Sequence, residues 1–140
     1  MIASVICNSY KIEILQGIHQ VTDDYYVALF TDSAVLSKDI TSYIDVTNEV
    51  VGNGYTVGGK LLENISILLD NDTAILDFET DPIWTASTIT ARGCLIYNHT
   101  TIGKNAVGVI DFGANYISNN GEFKITLPLP TDSTALLRII

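Results

Sequence analysis

Charge is scarce in this 140-residue chain: Asp, Glu, Lys and Arg make up only 16% of it. The few cations are Lys11, Lys38, Lys60, Arg92, Lys104, Lys124 and Arg138, scattered singly, so there is no basic stripe for nucleic acid. With a net charge of −9, the chain repels DNA and polyphosphates unless a local site compensates. No apolar run reaches the length that crosses a bilayer as a helix, and Met1 to Cys7 lacks the basic region of a signal peptide. Neither nucleic acid nor membrane is therefore expected as a partner. The two cysteines, Cys7 and Cys94, have no metal-ligand spacing and read as two buried thiols of a reducing compartment. The acceptor patterns at Asn64, Asn71 and Asn98 then read as chance products of an Asn- and Thr-rich chain. What is abundant is apolar: 47% of the residues are hydrophobic, enough for a proper core in one domain spanning residues 1–140. Low charge beside high apolar content also suits a surface partly covered by partners.

One stretch imitates a nucleotide site. Gly54-Tyr-Thr-Val-Gly-Gly-Lys60 has the G-x-x-x-x-G-K spacing of a phosphate-binding loop, and Ala106 to Asp111 resembles the apolar strand whose Asp holds Mg²⁺. The position after the lysine needs a hydroxyl to ligate the metal, and here it is Leu61. The fold around such a loop alternates helices with parallel strands, whereas no helical segment is found between residues 70 and 140. The glycines therefore read as shaping a long connection, with Tyr55 as its anchor.

One helix is predicted, Ser9 to Ile18, with Asn8 or Ser9 as N-cap, Gly17 as stop, and Tyr10, Ile14, Leu15 and Ile18 on its inner face. Strands are predicted over Tyr25–Thr31, Thr73–Phe78, Ser87–Tyr97, Asn105–Phe112, Glu122–Leu129 and Ala135–Ile140; Lys60 to Leu68 is ambiguous. Asp70-Asn71-Asp72 reads as a hairpin turn. Short strands with turns about every 8–12 residues predict a mainly β fold, an antiparallel β-sandwich with jelly-roll-like connectivity and one short N-terminal helix. The last strand is expected in the sheet of its own subunit, with Leu137 and Ile139 buried on one face. Gly52–Gly59 and Asn115–Gly121 are expected to be loops that reach a neighbour.

Reactive constellations are thin. Ser37, His99 and Asp77 assemble a Ser-His-Asp set on paper, without a nucleophile-elbow motif. His19 and His99 read as surface or hydrogen-bonding residues. The acids Asp70, Asp72, Asp77, Glu79 and Asp81 cluster, but Asp70 to Asp72 lacks the Gly and terminal Glu of a calcium loop. Trp84 reads as a core or interface anchor ahead of a sugar-stacking platform. No catalytic, cofactor-binding or metal-ligating residue is assigned.

Several separated motifs occur in order: Thr47-Asn-Glu-Val50, Gly52-x-Gly54-Tyr55-Thr56, Gly58-Gly59, Asp77-Phe78, Trp84, Ile89-Thr90-Ala91-Arg92-Gly93, Ile96-Tyr97-Asn98 and Val109-x-Asp111-Phe112-Gly113. Together with the opening helix and aromatic strand, this arrangement resembles a family of small tailed-bacteriophage virion proteins over nearly the whole chain. It departs modestly from that pattern at Cys94, where a small Ala would be unremarkable, and at the turn Ile102-Gly103-Lys104. The resemblance implies a non-enzymatic capsid decoration or cement protein. Such a protein binds the major capsid protein lattice on the outer virion surface, forms a homo-oligomer (dimer or trimer), and is made in the host cytoplasm. The alternatives it leaves are a tail or head-tail adaptor component, and a carbohydrate-binding β-sandwich on the virion.

Overall fold

Tyr25-Tyr-Val-Ala-Leu-Phe30 has no polar residue to turn outward, and only Tyr26 in it escapes full burial. A strand apolar on both faces needs cover on both. A computed structural model describing residues 1–140 places it as the fourth strand of a five-stranded sheet. The elements in chain order are β1 (Val5–Ile6), α1 (Asn8–Leu15), β2 (Tyr25–Phe30), a 3-10 turn (Tyr43–Asp45), β3 (Lys60–Leu61), β4 (Ile65–Asp70), β5 (Thr73–Phe78), β6 (Ile83–Asn98), β7 (Ala106–Lys124) and β8 (Leu137–Ile139). The large sheet runs β1-β7-β6-β2-β3 and the small one β4-β5-β8, with every ladder antiparallel. One contiguous cluster of 27 buried residues joins Leu29, Ile96 and Tyr97 of the large sheet to Phe78 and Leu137 of the small one. Each such side chain contributes about 1.5–3 kcal/mol by leaving water. The fold is thus mainly antiparallel β, in two sheets with one short helix, as expected.

The helix differs from its prediction at its start. It begins at Asn8, and its N-cap is Cys7, which makes no side-chain cap hydrogen bond. Asn8 instead accepts from Lys11 Nζ and donates to Asp39, while the Ser9 hydroxyl is buried without a partner. The stop is as read: Gly17 has φ +69°, its N–H donates to Ile14 O at 3.1 Å, and the Ile18 N–H donates to Glu13 O at 3.0 Å. That is the Schellman closure of a helix end. The expected inner face is not buried. Only Tyr10 is, whereas Leu15 is 92% exposed.

The ambiguous segment resolves into two strands, β3 and β4, separated by Asn64 at φ +58°. The β4–β5 hairpin turns at Asn71 as predicted, with Asp70 opposite Thr73. The larger correction concerns Asn115–Gly121, expected to be a loop. It lies inside β7, which runs unbroken from Ala106 to Lys124 against β6. Polar and Gly residues are tolerated there because irregularities absorb them: the pairing steps from Ala91–Tyr116 to Gly93–Asp111, and from Ser87–Gly121 to Ile89–Ser118. Conversely, the ladder stops at Lys124, short of the predicted Leu129. The period of two past that point is a period of burial only. Ile125 and Leu127 point inward, while their N–H groups bond Pro82 O and Asp81 Oδ1. At the C-terminus β8 pairs with β5 of its own chain, but only Leu137 is buried; Ile139 is 62% exposed.

Candidate functional site

The glycine-rich connection closes around a carboxylate. Glu49 Oε2 accepts from the Tyr43 hydroxyl at 2.6 Å, and Oε1 accepts from the Tyr55 hydroxyl at 2.6 Å and from the Gly58 N–H at 2.7 Å. Tyr97 donates to Gly58 O at 2.6 Å and stacks on Tyr43 with centroids 4.4 Å apart. Tyr55 in turn accepts the Leu29 N–H at 2.9 Å, which ties the connection to the middle of β2. Burial, reinforced by the Glu49 hydrogen bond, pushes the Tyr43 and Tyr55 phenols well above their ordinary range. Tyr55 is the anchor the sequence pointed to. Glu49 was missed, because a lone acid in a polar stretch carries no spacing signal.

The same geometry bears on what the loop offers a phosphate. A phosphate-binding loop turns its free amides toward the anion. Here the Gly58 amide is already held by the chain's own carboxylate. The Lys60 ammonium donates to Ile83 O and lies 5.4 Å from the Trp84 ring centroid. Asp111, the would-be Mg²⁺ ligand, bonds Arg92 Nε at 2.9 Å, and that guanidinium holds its carboxyl below the usual range. Calorimetry with ATP and Mg²⁺ is therefore expected to give no saturable heat. Micromolar binding that Lys60→Ala abolishes would contradict this account of the loop.

The remaining polar candidates hold the fold together. The His19 side chain is 2% exposed, with Nε2 2.5 Å from Glu13 Oε2, and its Nδ1 accepts from Asn98 Nδ2 at 3.1 Å. His99 stacks on Tyr26 at 4.2 Å. Ser37 Oγ accepts the Asp39 N–H, and Asp77 sits buried on β5 with its carboxyl raised by burial. No hydrogen bond links Ser37, His99 and Asp77. Asp70 accepts the Asp132 N–H at 2.8 Å, and Asn71 donates to the Asp132 carboxylate at 2.7 Å, so this turn fastens the C-terminal segment. No group of three His, Cys, Asp or Glu side chains is placed to hold a metal. Cys7 and Cys94 are buried and unpaired, and burial pushes their thiols up to about 11 and about 12. Trp84 is 3% exposed, between Tyr55 and Phe123, so neither ring face is open to a sugar.

What the surface does present is apolar. A groove of ≈ 800 Å³ runs along β7 between β1 and the C-terminal segment, lined by Val5, Ile110, Phe112, Tyr116, Phe123 and Leu136 among others. A second, of ≈ 410 Å³, lies between α1 and the small sheet. Register explains the second. Ile67, Leu76 and Leu137 stand opposite one another, as do Leu69, Ala74 and Ile139, so all six share one face of β4-β5-β8. Ile67, Leu69 and Ile139 are 63%, 71% and 62% exposed. The sequence hides this face because Leu68 and Ile75 make the opposite face apolar too. No family model, curated protein or solved structure matches the chain.

Proposed function

We propose that this chain is a non-enzymatic structural protein that adheres to other protein surfaces, and that its setting is the outside of a tailed-phage capsid. The observation that carries the adhesive reading is the open apolar face of β4-β5-β8, with Ile67, Leu69 and Ile139 facing solvent beside the groove under α1. Exposed apolar surface of this kind is what protein contacts cover. The resemblance to small virion proteins supplies the capsid lattice as the partner. The acidic balance, −9 overall, favours basic patches on such a lattice. Many copies raise effective concentration, so each contact needs little affinity of its own.

Particles lacking this protein are expected to assemble but to burst at lower temperature, and purified protein should restore them. Leu69→Lys should bind them at least tenfold more weakly, since it sets a charge in the apolar face. Restoration by Leu69→Lys as complete as by the wild type would remove this face from the contact. Normal heads with missing or defective tails would move the protein to the tail or head-tail adaptor.

A further inference from the structure

The small sheet ends in an unguarded strand. β4 has β5 on one side and no strand on the other. In an antiparallel ladder, alternate residues turn both backbone groups toward the partner strand, and those between turn them away. The Glu79 N–H donates to Asn64 O at 3.0 Å, and pairing then runs without a shift from Ile65–Phe78 to Asp70–Thr73. Asn64, Ser66, Leu68 and Asp70 therefore face β5, while the N–H and C=O groups of Ile65, Ile67 and Leu69 face outward. No other segment of the chain bonds them. Native sheets blunt such edges with charge, proline or a bulge, because the free groups template another strand. Ile65 to Leu69 has none of the three. The other edges are shorter or interrupted: β1, β3 and β8 span two or three residues, and β7 is bulged.

We infer that the β4 edge takes up an extended segment of a partner protein as an added strand, apolar at alternate positions and basic at both ends. Residues of that strand opposite Ile67 and Leu69 fall on the same open apolar face and continue it. Charge selects the flanks. At the start of β4 stand Glu63 and Glu79, with Asp77 and Asp81 further along the hairpin; at its turn stand Asp70, Asp72 and Asp132. Glu63, Asp70, Asp72, Glu79 and Asp132 make no salt bridge. The cations around them are few and engaged: Lys124 lies 3.9 Å from Asp81, Arg138 donates to Asp132 O, Lys60 to Ile83 O, and Lys11, across the groove, to Asn8. Both ends are left acidic, which Lys or Arg of an incoming strand would offset. The same acids disfavour a second copy. In an antiparallel two-fold pair centred on Ile67, Asn64 would meet Asp70 and Glu63 would meet Asn71, gathering the carboxylates of both copies at each end. The inference rests on the adhesive reading of β4-β5-β8 and names the chemistry of what docks there.

The probe is the peptide acetyl-Lys-Val-Thr-Val-Thr-Val-Lys-amide, titrated into the wild-type chain and followed by amide resonances. Those of Ile65, Ile67 and Leu69 should shift, and their hydrogen exchange, fast in the free chain, should slow. The same peptide with Glu in place of both Lys should bind at least about tenfold more weakly. Ile67→Pro removes an N–H that the fold leaves unpaired, so the strand should persist at this edge while peptide binding is lost. Ile67→Thr keeps the N–H and should still bind. Absence of shifts at β4, equal binding of the two peptides, or undiminished binding by a folded Ile67→Pro variant overturns the inference. If Ile67→Pro fails to fold, the wild-type titration with the two peptides still decides. A wild type that takes the peptide but does not restore particles removes the capsid setting and leaves the edge. Restored particles without shifts at β4 do the reverse.

Discussion

Gly59→Val is expected to prevent the chain from reaching its native state. Gly59 has φ +83°, a left-handed conformation that a β-branched residue adopts only under strain, at about 1–3 kcal/mol. Space is the harder constraint. A Cβ on Gly59 would stand 1.9 Å from Val27 O, 2.6 Å from Val27 C and 2.7 Å from Ala28 Cα. Those atoms are the backbone of β2, which is fixed by six consecutive pairs to β6 and cannot swing aside as a side chain would. Strain and overlap together exceed about 4 kcal/mol, against a typical domain stability of about 5–15 kcal/mol. Gly54→Val should be milder: φ is +80°, but the nearest atoms are Ser87 Cα at 2.8 Å and its Cβ at 2.9 Å, on a strand with slack at its bulges. Gly17→Val isolates the backbone term, since φ is +69° and nothing lies within 4 Å of the added carbon. It should lose about 1 kcal/mol. Urea midpoints of the three variants test the order. Equal midpoints for Gly59→Val and Gly17→Val would mean that β2 yields, and that the glycine-rich connection does not lie as close to it as described.

The same glycine shows what the sequence could tell. G-x-x-x-x-G-K spacing is a statement about backbone, and backbone demands recur in unrelated settings. The missing hydroxyl at Leu61 and the lack of helices argue against a nucleotide from the sequence, and in the fold the Gly58 amide is held by Glu49. Local signals were legible: the β2 run, the Asn71 hairpin, the Gly17 helix stop, and the alternation through Phe123, Ile125 and Leu127. Long-range geometry was not. Nothing in Gly113-Ala-Asn-Tyr-Ile-Ser-Asn-Asn-Gly121 distinguishes a polar loop from a bulged strand, because what makes it a strand is β6 alongside. Glu49 is invisible for the same reason, since Tyr43, Tyr55 and Gly58 meet only when the connection folds back. The candidate surfaces depended on register, and register is set by pairs that sequence does not print. The Ser87–Ser118 hydrogen bond at 2.9 Å, buried between two bulges, is a further case: two unremarkable serines make one polar contact in the core.

Alkaline pH is expected to unfold the protein in one cooperative step between about pH 10 and pH 11. Tyr25 and Tyr97 are buried, and burial pushes both phenols far above the ordinary value of 10. Each donates its proton to a backbone carbonyl, Tyr25 to Gln20 O at 2.9 Å and Tyr97 to Gly58 O at 2.6 Å, so a phenolate there would face an oxygen. Tyr43 and Tyr55 would each set a second negative charge 2.6 Å from a Glu49 oxygen. Cys7 and Cys94, raised to about 11 and about 12 by burial, act in the same direction from pH 9 upward. In all of these groups the folded value lies above the unfolded one. Their contribution is therefore whole below the unfolded value and is lost as pH rises, because the unfolded chain releases protons that the folded chain must keep. Each fully shifted group costs about 1.4 kcal/mol per pH unit. The two buried tyrosines alone remove about 3 kcal/mol per unit above pH 10, and the thiols bring the loss by pH 11 to at least about 5 kcal/mol. That reaches the lower range of a domain's whole stability. Urea titrations should be level to pH 9 and then fall steeply. Tyrosinate absorbance should rise together with the loss of strand dichroism, since these phenols ionise only when released. Smooth ionisation of all seven tyrosines near pH 10, with the dichroism intact, would mean that the hydroxyl cluster around Glu49 and Gly58 is open to water.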